Sequence, residues 1–216
     1  MKDFRLYAIT GEQFHPGKSM LEVMEQAILG GTDIIQLRDK SGDLAKIRKK
    51  AAALRELTAQ YGVTFIVNDY IDIALEVDAD GVHLGQGDVP LTEARRKMGN
   101  KIIGISTHAI EEAIQAERDG ADYIGVGPVF PTKTKLDVVA PVTVSYVQEV
   151  ARTINIPFVA IGGIKLHNVD QVIKAGATRI CAVSEIVGSE DIQRTCREFL
   201  SKLDTAKARE AHGIDH

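Results

Sequence analysis

The 216-residue chain is predicted to fold as a single α/β domain, a (β/α)8 TIM barrel, and three observations lead there. Eight short, β-branched runs alternate with segments of helical spacing. Each run is apolar throughout and bounded by Gly, Asp or Pro, the pattern of a parallel strand covered on both faces. A weak internal repeat marks three helix-to-strand junctions: Gly31-Thr32-Asp33-Ile34-Ile35, Gly120-Ala121-Asp122-Tyr123-Ile124 and Gly176-Ala177-Thr178-Arg179-Ile180. Eight units in 216 residues leave about 27 residues each, near the short end for such barrels. A doubly wound open sheet is the alternative. It seldom needs eight evenly spaced units, so the barrel is preferred.

In chain order, the first strand is placed at 6–10 and the stripe Leu21, Met24, Ala27, Ile28 gives the first helix. A second strand at 34–38 leads into Ile47, Ala51, Leu54 and Leu57, again at helical spacing. Strands at 65–68 and 82–85 precede short helices at 70–77 and 91–98. Strands at 102–106 and 123–127 precede helices at 109–118 and 144–151. The last two strands fall at 158–162 and 180–184, and 191–207 reads as a closing helix. The barrel domain is set at 1–209, with a frayed tail at 210–216. The glycine of each repeat takes the left-handed conformation that turns a helix end toward the sheet.

Composition excludes several classes. Apolar residues at 44% and charged residues at 26% suit a globular chain long enough to bury its own core. A formal charge of -4 argues against nucleic-acid binding, which favours a basic stripe. No apolar run reaches the ~18–20 residues of a membrane span, and the N-terminal stretch lacks a signal-peptide core. Cys181 and Cys196 form neither a zinc pattern nor a disulfide framework. A cytoplasmic protein without nucleic-acid or membrane partners is expected, and any of several outer helices could pair it into a homo-oligomer.

In a barrel, working residues project from the C-terminal strand ends. Those ends carry Gln36-Leu37-Arg38-Asp39-Lys40, Asn68-Asp69, Gly85-Gln86-Gly87-Asp88, Ser106-Thr107-His108, the stretch Gly127-Pro128-Val129-Phe130-Pro131-Thr132-Lys133-Thr134-Lys135, Gly162-Gly163 and Val183-Ser184. The set holds cations (Arg38, Lys40, Lys135) and two carboxylates on neighbouring strands (Asp69, Asp88), but no nucleophile–base system. Such a mixture suits a polyphosphate with Mg²⁺: the carboxylates hold a hard cation, Arg38 forks onto phosphate, and the lysines add point charges. Taken singly, each charge reads better as a solvated loop residue and each Asp as a turn or capping residue; it is their gathering at neighbouring strand ends that favours the ligand reading. Gly163, Val183 and Ser184 lie where barrels seat a phosphate monoester on backbone N–H groups. Two anion sites imply a reaction between two phosphorylated molecules.

These residues, together with His83-Leu84 and Gly104-Ile105 before them and Ile161 and Ile164 around the glycine pair, resemble the thiamine phosphate synthase family over about residues 4–200. Pro-Thr-x-Thr-Lys is the most specific stretch. The resemblance implies a transferase of the thiamine biosynthetic route, joining hydroxymethylpyrimidine diphosphate to a thiazole phosphate with release of pyrophosphate. It assigns Gln36, Arg38, Lys40, Asn68, Ser106 and Lys135 to the pyrimidine diphosphate, with Arg38, Lys40, Ser106 and Lys135 as the catalytic group. Leu37, Asp39 and Lys133 are counted with the adjoining substrate-contacting stretches. Asp69 and Asp88 would hold Mg²⁺. Thr132, Thr134, Gly163, Val183 and Ser184 would bind the thiazole phosphate. Pyrophosphate departure would leave a pyrimidine-stabilised cation for the thiazole nitrogen to attack, which needs no protein nucleophile.

The remaining chemistry-bearing residues read more plainly. His83 is a packed, hydrogen-bonded core group, and His108 either shapes the site or starts a helix. His15, His167, His212 and His216 are placed at the surface, and Cys181 and Cys196 in the packed interior. Phe130 lines the mouth or anchors its loop, and 131–141 is a lid or an ordinary loop. The rival activities are the thiazole tautomerase branch of the same fold and a non-catalytic phosphate sensor. The tautomerase branch places His where Pro128 stands and lacks the paired aspartates, and a sensor has little use for leaving-group cations.

Overall fold

Eight parallel strands close on themselves in sequence order, β1 (Leu6–Ile9), β2 (Ile34–Leu37), β3 (Thr64–Asn68), β4 (Gly81–Leu84), β5 (Ile102–Thr107), β6 (Tyr123–Val126), β7 (Phe158–Ala160) and β8 (Ile180–Ala182). The last strand returns to the first through Tyr7 opposite Cys181, which completes the predicted TIM barrel. These are features of a computed structural model that describes residues 1–133 and 140–213. The helices around it are α1 (Met20–Leu29), α2 (Leu44–Tyr61), α3 (Ile71–Glu76), α4 (Leu91–Met98), α5 (Ile110–Arg118), α6 (Thr143–Thr153), α7 (Val169–Lys174), α8 (Ser184–Val187) and α9 (Ile192–Ala211).

Strand positions match the sequence reading, but several strands end one or two residues early. Arg38, Gly85, Gly127, Gly162 and Val183 therefore sit in the loops beyond them. In α1 the buried face runs through Val23, Met24, Ala27 and Ile28, while Leu21 is 37% exposed and drops out of the stripe. The closing helix continues to Ala211, so residues 210 and 211 are helical and the boundary at 209 falls inside α9. Contrary to the surface position expected of it, His15 is buried, 4% exposed, with its Nδ1 hydrogen-bonded to the Lys18 carbonyl at 3.2 Å. A 3-10 turn at Glu12–Phe14 leads into it.

The junction repeat has a concrete physical basis. Gly31, Gly120 and Gly176 have φ of 103°, 87° and 106°. The residue after each donates its N–H back across the helix end, Thr32 to Ala27, Ala121 to Ala116 and Ala177 to Val172, at 3.0–3.2 Å. The aspartate that follows in two of the repeats clamps the preceding strand. Asp33 accepts the N–H groups of Arg5 and Leu6 at 2.8 and 3.1 Å, and Asp122 accepts that of Ile103 at 2.8 Å. Asp80 does the same for Phe65 at 2.7 Å. These carboxylates satisfy strand-start donors and so close the barrel floor. The third repeat carries Thr178 at that position, and the Arg179 that follows stacks 5.4 Å over the Phe4 ring at the same end.

Two packed layers result. Outward-facing strand residues such as Leu6, Ile35, Phe65 and Ile103 pack against the helices. Inward-facing Phe4, Tyr7, Ile9, Ile34, Ile66, Tyr123, Val159 and Cys181 fill the barrel. Gly104 makes room for an inward ring: a Cβ there would lie 2.1 Å from Tyr123 Cζ. Because Tyr123 is fully buried, Gly104→Ala is expected to destabilise the barrel by about 1–3 kcal/mol through overpacking. Urea unfolding of the two proteins measures this, and an unchanged midpoint would contradict the packing described.

Candidate active site

The mouth is built on loops that side-chain hydrogen bonds hold in place. Thr10 Oγ1 accepts the Arg38 N–H at 2.9 Å and donates to the Arg38 carbonyl at 3.1 Å, pinning the chain as it leaves β2. Asp39 pairs with Lys50 at 2.8 Å and accepts the Ser41 N–H at 2.9 Å. Burial opposes ionisation of Asp39, but the Lys50 ammonium and the Ser41 hydroxyl and N–H outweigh it and hold the carboxyl down at about 2. Lys50 also pairs with Glu12. Asp39 thus braces the β2 loop under the mouth.

That brace has a pH signature. The folded carboxyl titrates below the unfolded value of 3.8, so its stabilisation is present above that value and lost as pH falls toward about 2. Asp39→Asn is expected to cost about 2 kcal/mol at neutral pH and almost nothing near the folded pKa. Denaturant titrations at the two pH values measure the gap, and a gap that persists in acid would rule out the ion pair as its source.

Across the mouth, Lys40 pairs with Asp69. Asp69 has φ of 68°, an uncommon conformation for a non-glycine residue, held by its N–H donating to the His83 carbonyl at 3.0 Å. Burial pushes the Asp69 carboxyl up, Lys40 pulls it down, and the neighbouring Asp88 carboxylate adds to the rise. Asp88 is positioned by the Gly85 N–H, which donates to its Oδ2 at 2.6 Å. Two carboxylates drawn together against their mutual repulsion make a donor set suited to a hard divalent cation that takes its other ligands from water and phosphate. Among the described residues no group of three or more His, Cys, Asp or Glu that could hold a metal is found.

Two hollows open here. The first is lined by Arg38, Asp39, Lys40, Asn68, Asp69 and Asp88, with Lys46 and Lys50 at its rim. The second is lined by Thr132, Gly163, Ser184, Pro128, Ile161 and His108. Both include Gly85, Ser106 and Val183, so they meet at one shared wall. Gly163, with φ of 65°, brings the backbone close: a Cβ there would lie 2.7 Å from the Pro131 carbonyl oxygen.

The structure therefore gathers Arg38, Asp39, Lys40, Asn68, Asp69, Asp88, Ser106, Thr132, Gly163, Val183 and Ser184 around one mouth. Gln36, 2% exposed, lies beneath it on the barrel axis. Leu37 is a correction: alternation along β2 turns its side chain outward into the layer between sheet and helices, away from the mouth. Lys133 is exposed, while Thr134 and Lys135, with most of the candidate lid, lie outside the described residues. His108 joins neighbouring strand ends, its Nδ1 donating to the Gly127 carbonyl at 2.7 Å. Phe130 packs against the core and donates its N–H to the Gly162 carbonyl at 3.0 Å, which fits the anchoring role. Sequence reasoning missed Lys46 and Lys50 at the rim, and Tyr7 and Tyr123 below it. The two tyrosines were legible as polar groups at inward positions of otherwise apolar strands.

Comparison with known proteins agrees with this geometry. The family model described as thiamine monophosphate synthase matches residues 6–186. The thiamine-phosphate synthase of Halalkalibacterium halodurans is 64% identical over 205 residues, covering 94% of this chain and 97% of the relative. That of Shouchella clausii is 58% identical over 207 residues, covering 95% and 99%. A solved thiamine phosphate pyrophosphorylase from Pyrococcus furiosus superposes with a TM-score of 0.85 at 36% identity, covering 94% of this chain and 96% of that one. With a model match over most of the chain and relatives of this identity at nearly full length, the chain belongs to the thiamine monophosphate synthase family.

Proposed function

We propose that the chain makes thiamine phosphate by joining 4-amino-2-methyl-5-hydroxymethylpyrimidine diphosphate to a thiazole phosphate, with loss of pyrophosphate. The observation that carries this reading is the shared wall. A hollow rich in cations and carboxylates and a hollow lined by backbone and small side chains meet at Ser106, where the reacting carbon of one substrate can face the nitrogen of the other.

In this reading Arg38 and Lys40 grip the diphosphate, and Lys135 joins them from the loop after β6. Gln36, Asn68 and Ser106 orient the pyrimidine. Asp69 and Asp88 hold Mg²⁺, which when bound would neutralise charge on the departing diphosphate. Gly163, Val183 and Ser184, with Thr132 and Thr134, seat the thiazole phosphate. The pyrimidine methylene–oxygen bond breaks first, the electron pair leaves with pyrophosphate, and the thiazole nitrogen then supplies the pair for the new carbon–nitrogen bond. The protein holds the partners in line and lowers the cost of the departing charge. The work is placed in the cytoplasm on the sequence grounds given above; among the described residues no helix is long and apolar enough to cross a membrane.

Incubating the protein with both substrates and Mg²⁺ should yield thiamine phosphate and pyrophosphate in equal amounts. Tautomerised thiazole alone would assign the rival isomerase activity. Ligand binding with no turnover would assign a sensor.

A further inference from the structure

We propose that His83, from inside the barrel, is a positioning residue that fixes Ser106 as a hydrogen-bond donor toward the pyrimidine diphosphate. This rests on the function proposed above. A line of polar side chains crosses the barrel interior beneath the mouth. Gln36 Nε2 donates to Tyr7 Oη at 2.7 Å, and Tyr7 Oη and Tyr123 Oη share a hydrogen bond of 2.8 Å. Tyr123 Oη is 2.8 Å from His83 Nδ1, and His83 Nε2 is 2.7 Å from Ser106 Oγ.

Placing the protons gives the line a direction. Burial pushes both phenols well above their ordinary range, so each keeps its proton. Gln36 can only donate through its nitrogen, so Tyr7 accepts there and must send its own proton to Tyr123. Tyr123, accepting from Tyr7, must send its proton to His83 Nδ1. His83 Nδ1 is then an acceptor, and the imidazole carries its proton on Nε2, aimed at Ser106 Oγ. With its lone pair occupied from below, the Ser106 hydroxyl turns its proton into the mouth. If Nδ1 carried the proton instead, Tyr123 would have to donate to Tyr7, and the Tyr7 proton would face a donor on one side and a proton on the other.

The packing is built for this line. A Cβ at Gly104 would lie 2.1 Å from Tyr123 Cζ, and one at Gly125 would lie 3.5 Å from His83 Cε1. Gly104 sits within a strand, where glycine is otherwise unfavourable, and its lack of a side chain admits the Tyr123 ring, whereas the contact at Gly125 is ordinary packing. Ser106 stands on the wall common to both hollows, so a hydroxyl with one fixed direction there is a preorganised donor to a ring nitrogen or phosphate oxygen of the substrate. A freely rotating hydroxyl would have to be oriented on every turnover.

Two measurements test this. In the wild-type protein labelled with ¹⁵N-histidine, NMR should show His83 with its proton on Nε2; protonation on Nδ1 would overturn the proposal. Activity then separates positioning from simple structural support. His83→Phe should lower the single-turnover rate by about tenfold, the scale of one lost hydrogen bond, with KM for the thiazole phosphate unchanged. His83→Gln, which can still place an N–H near Ser106, should recover most of that loss. In a Ser106→Ala background His83→Phe should change the rate less than about twofold, because its effect runs through the missing hydroxyl. A full loss repeated in that background would overturn the proposal. Should His83→Phe fail to fold, the wild-type tautomer and His83→Gln decide. A wild-type protein that forms no thiamine phosphate overturns the functional reading and this one with it, whereas an active wild type with Nδ1 protonated overturns this one alone.

Discussion

Arg38→Ala is expected to lower the single-turnover rate of thiamine phosphate formation by about 10²–10³-fold, the usual scale for removing one preorganised donor from developing charge. The reason lies in where the charge goes. In the proposed reaction the negative charge shared across the diphosphate grows as the methylene–oxygen bond breaks, and the guanidinium would face it from a loop whose backbone Thr10 holds by two hydrogen bonds. A planar fork contacts two oxygens at once, whereas an ammonium is a point charge, so Arg38→Lys should recover only part of the loss. Lys135→Ala should move the rate in the same direction, by at least about tenfold, if Lys135 shares the task. Arg38 lines the first hollow and is half-buried, and circular dichroism of the variant should show that the barrel is still folded. Rapid-quench kinetics with both substrates saturating gives the answer. A near-normal chemical step in Arg38→Ala would remove this residue from charge stabilisation.

The barrel was legible because its signals are local. Strand runs, helical stripes and the glycine repeat each express a physical need that the nearby sequence has to meet. Leu21 shows the limit: four apolar residues fit a helical stripe, but which of them face inward depends on how the helix is rotated against the sheet, and Val23 took the place. Leu37 shows a second. Strand ends point to the mouth as a group, yet alternate side chains face opposite ways, and the register that sends Gln36 inward sends Leu37 outward. His15 was misplaced because three residues of 3-10 turn fold it under the loop, and such turns carry little sequence signal. The paired Asp69 and Asp88 were visible because they recur at adjacent strand ends. Their closeness, the positive φ of Asp69 and the pairing of Asp69 with Lys40 belong to the tertiary structure alone.

Asp69→Asn is expected to be as damaging as loss of Arg38, for a different reason. In the protein by itself Lys40 is the cation beside Asp69, while Asp88 repels it. In the proposed function Asp69 and Asp88 would hold a divalent ion, whose charge would offset that repulsion. Asparagine tolerates a positive φ at least as well as aspartate, so this substitution removes charge while leaving the backbone its conformation; alanine would add strain and confuse the result. Two readouts should change together. The chemical step should fall by at least about 10²-fold at fixed Mg²⁺; Mg²⁺ is expected to raise the Tm of the parent protein but not of the variant, since an ion bound only to the folded state stabilises it by mass action. Asp88→Asn should follow the same pattern, because Gly85 would still hold its side chain in place. Without Mg²⁺, Asp69→Asn should unfold close to the parent Tm, with the lost Lys40 pair and the relieved Asp88 repulsion offsetting one another. Full turnover in EDTA, or a Mg²⁺-dependent Tm rise that survives both substitutions, would show that the two aspartates hold no metal and that their closeness serves the loop.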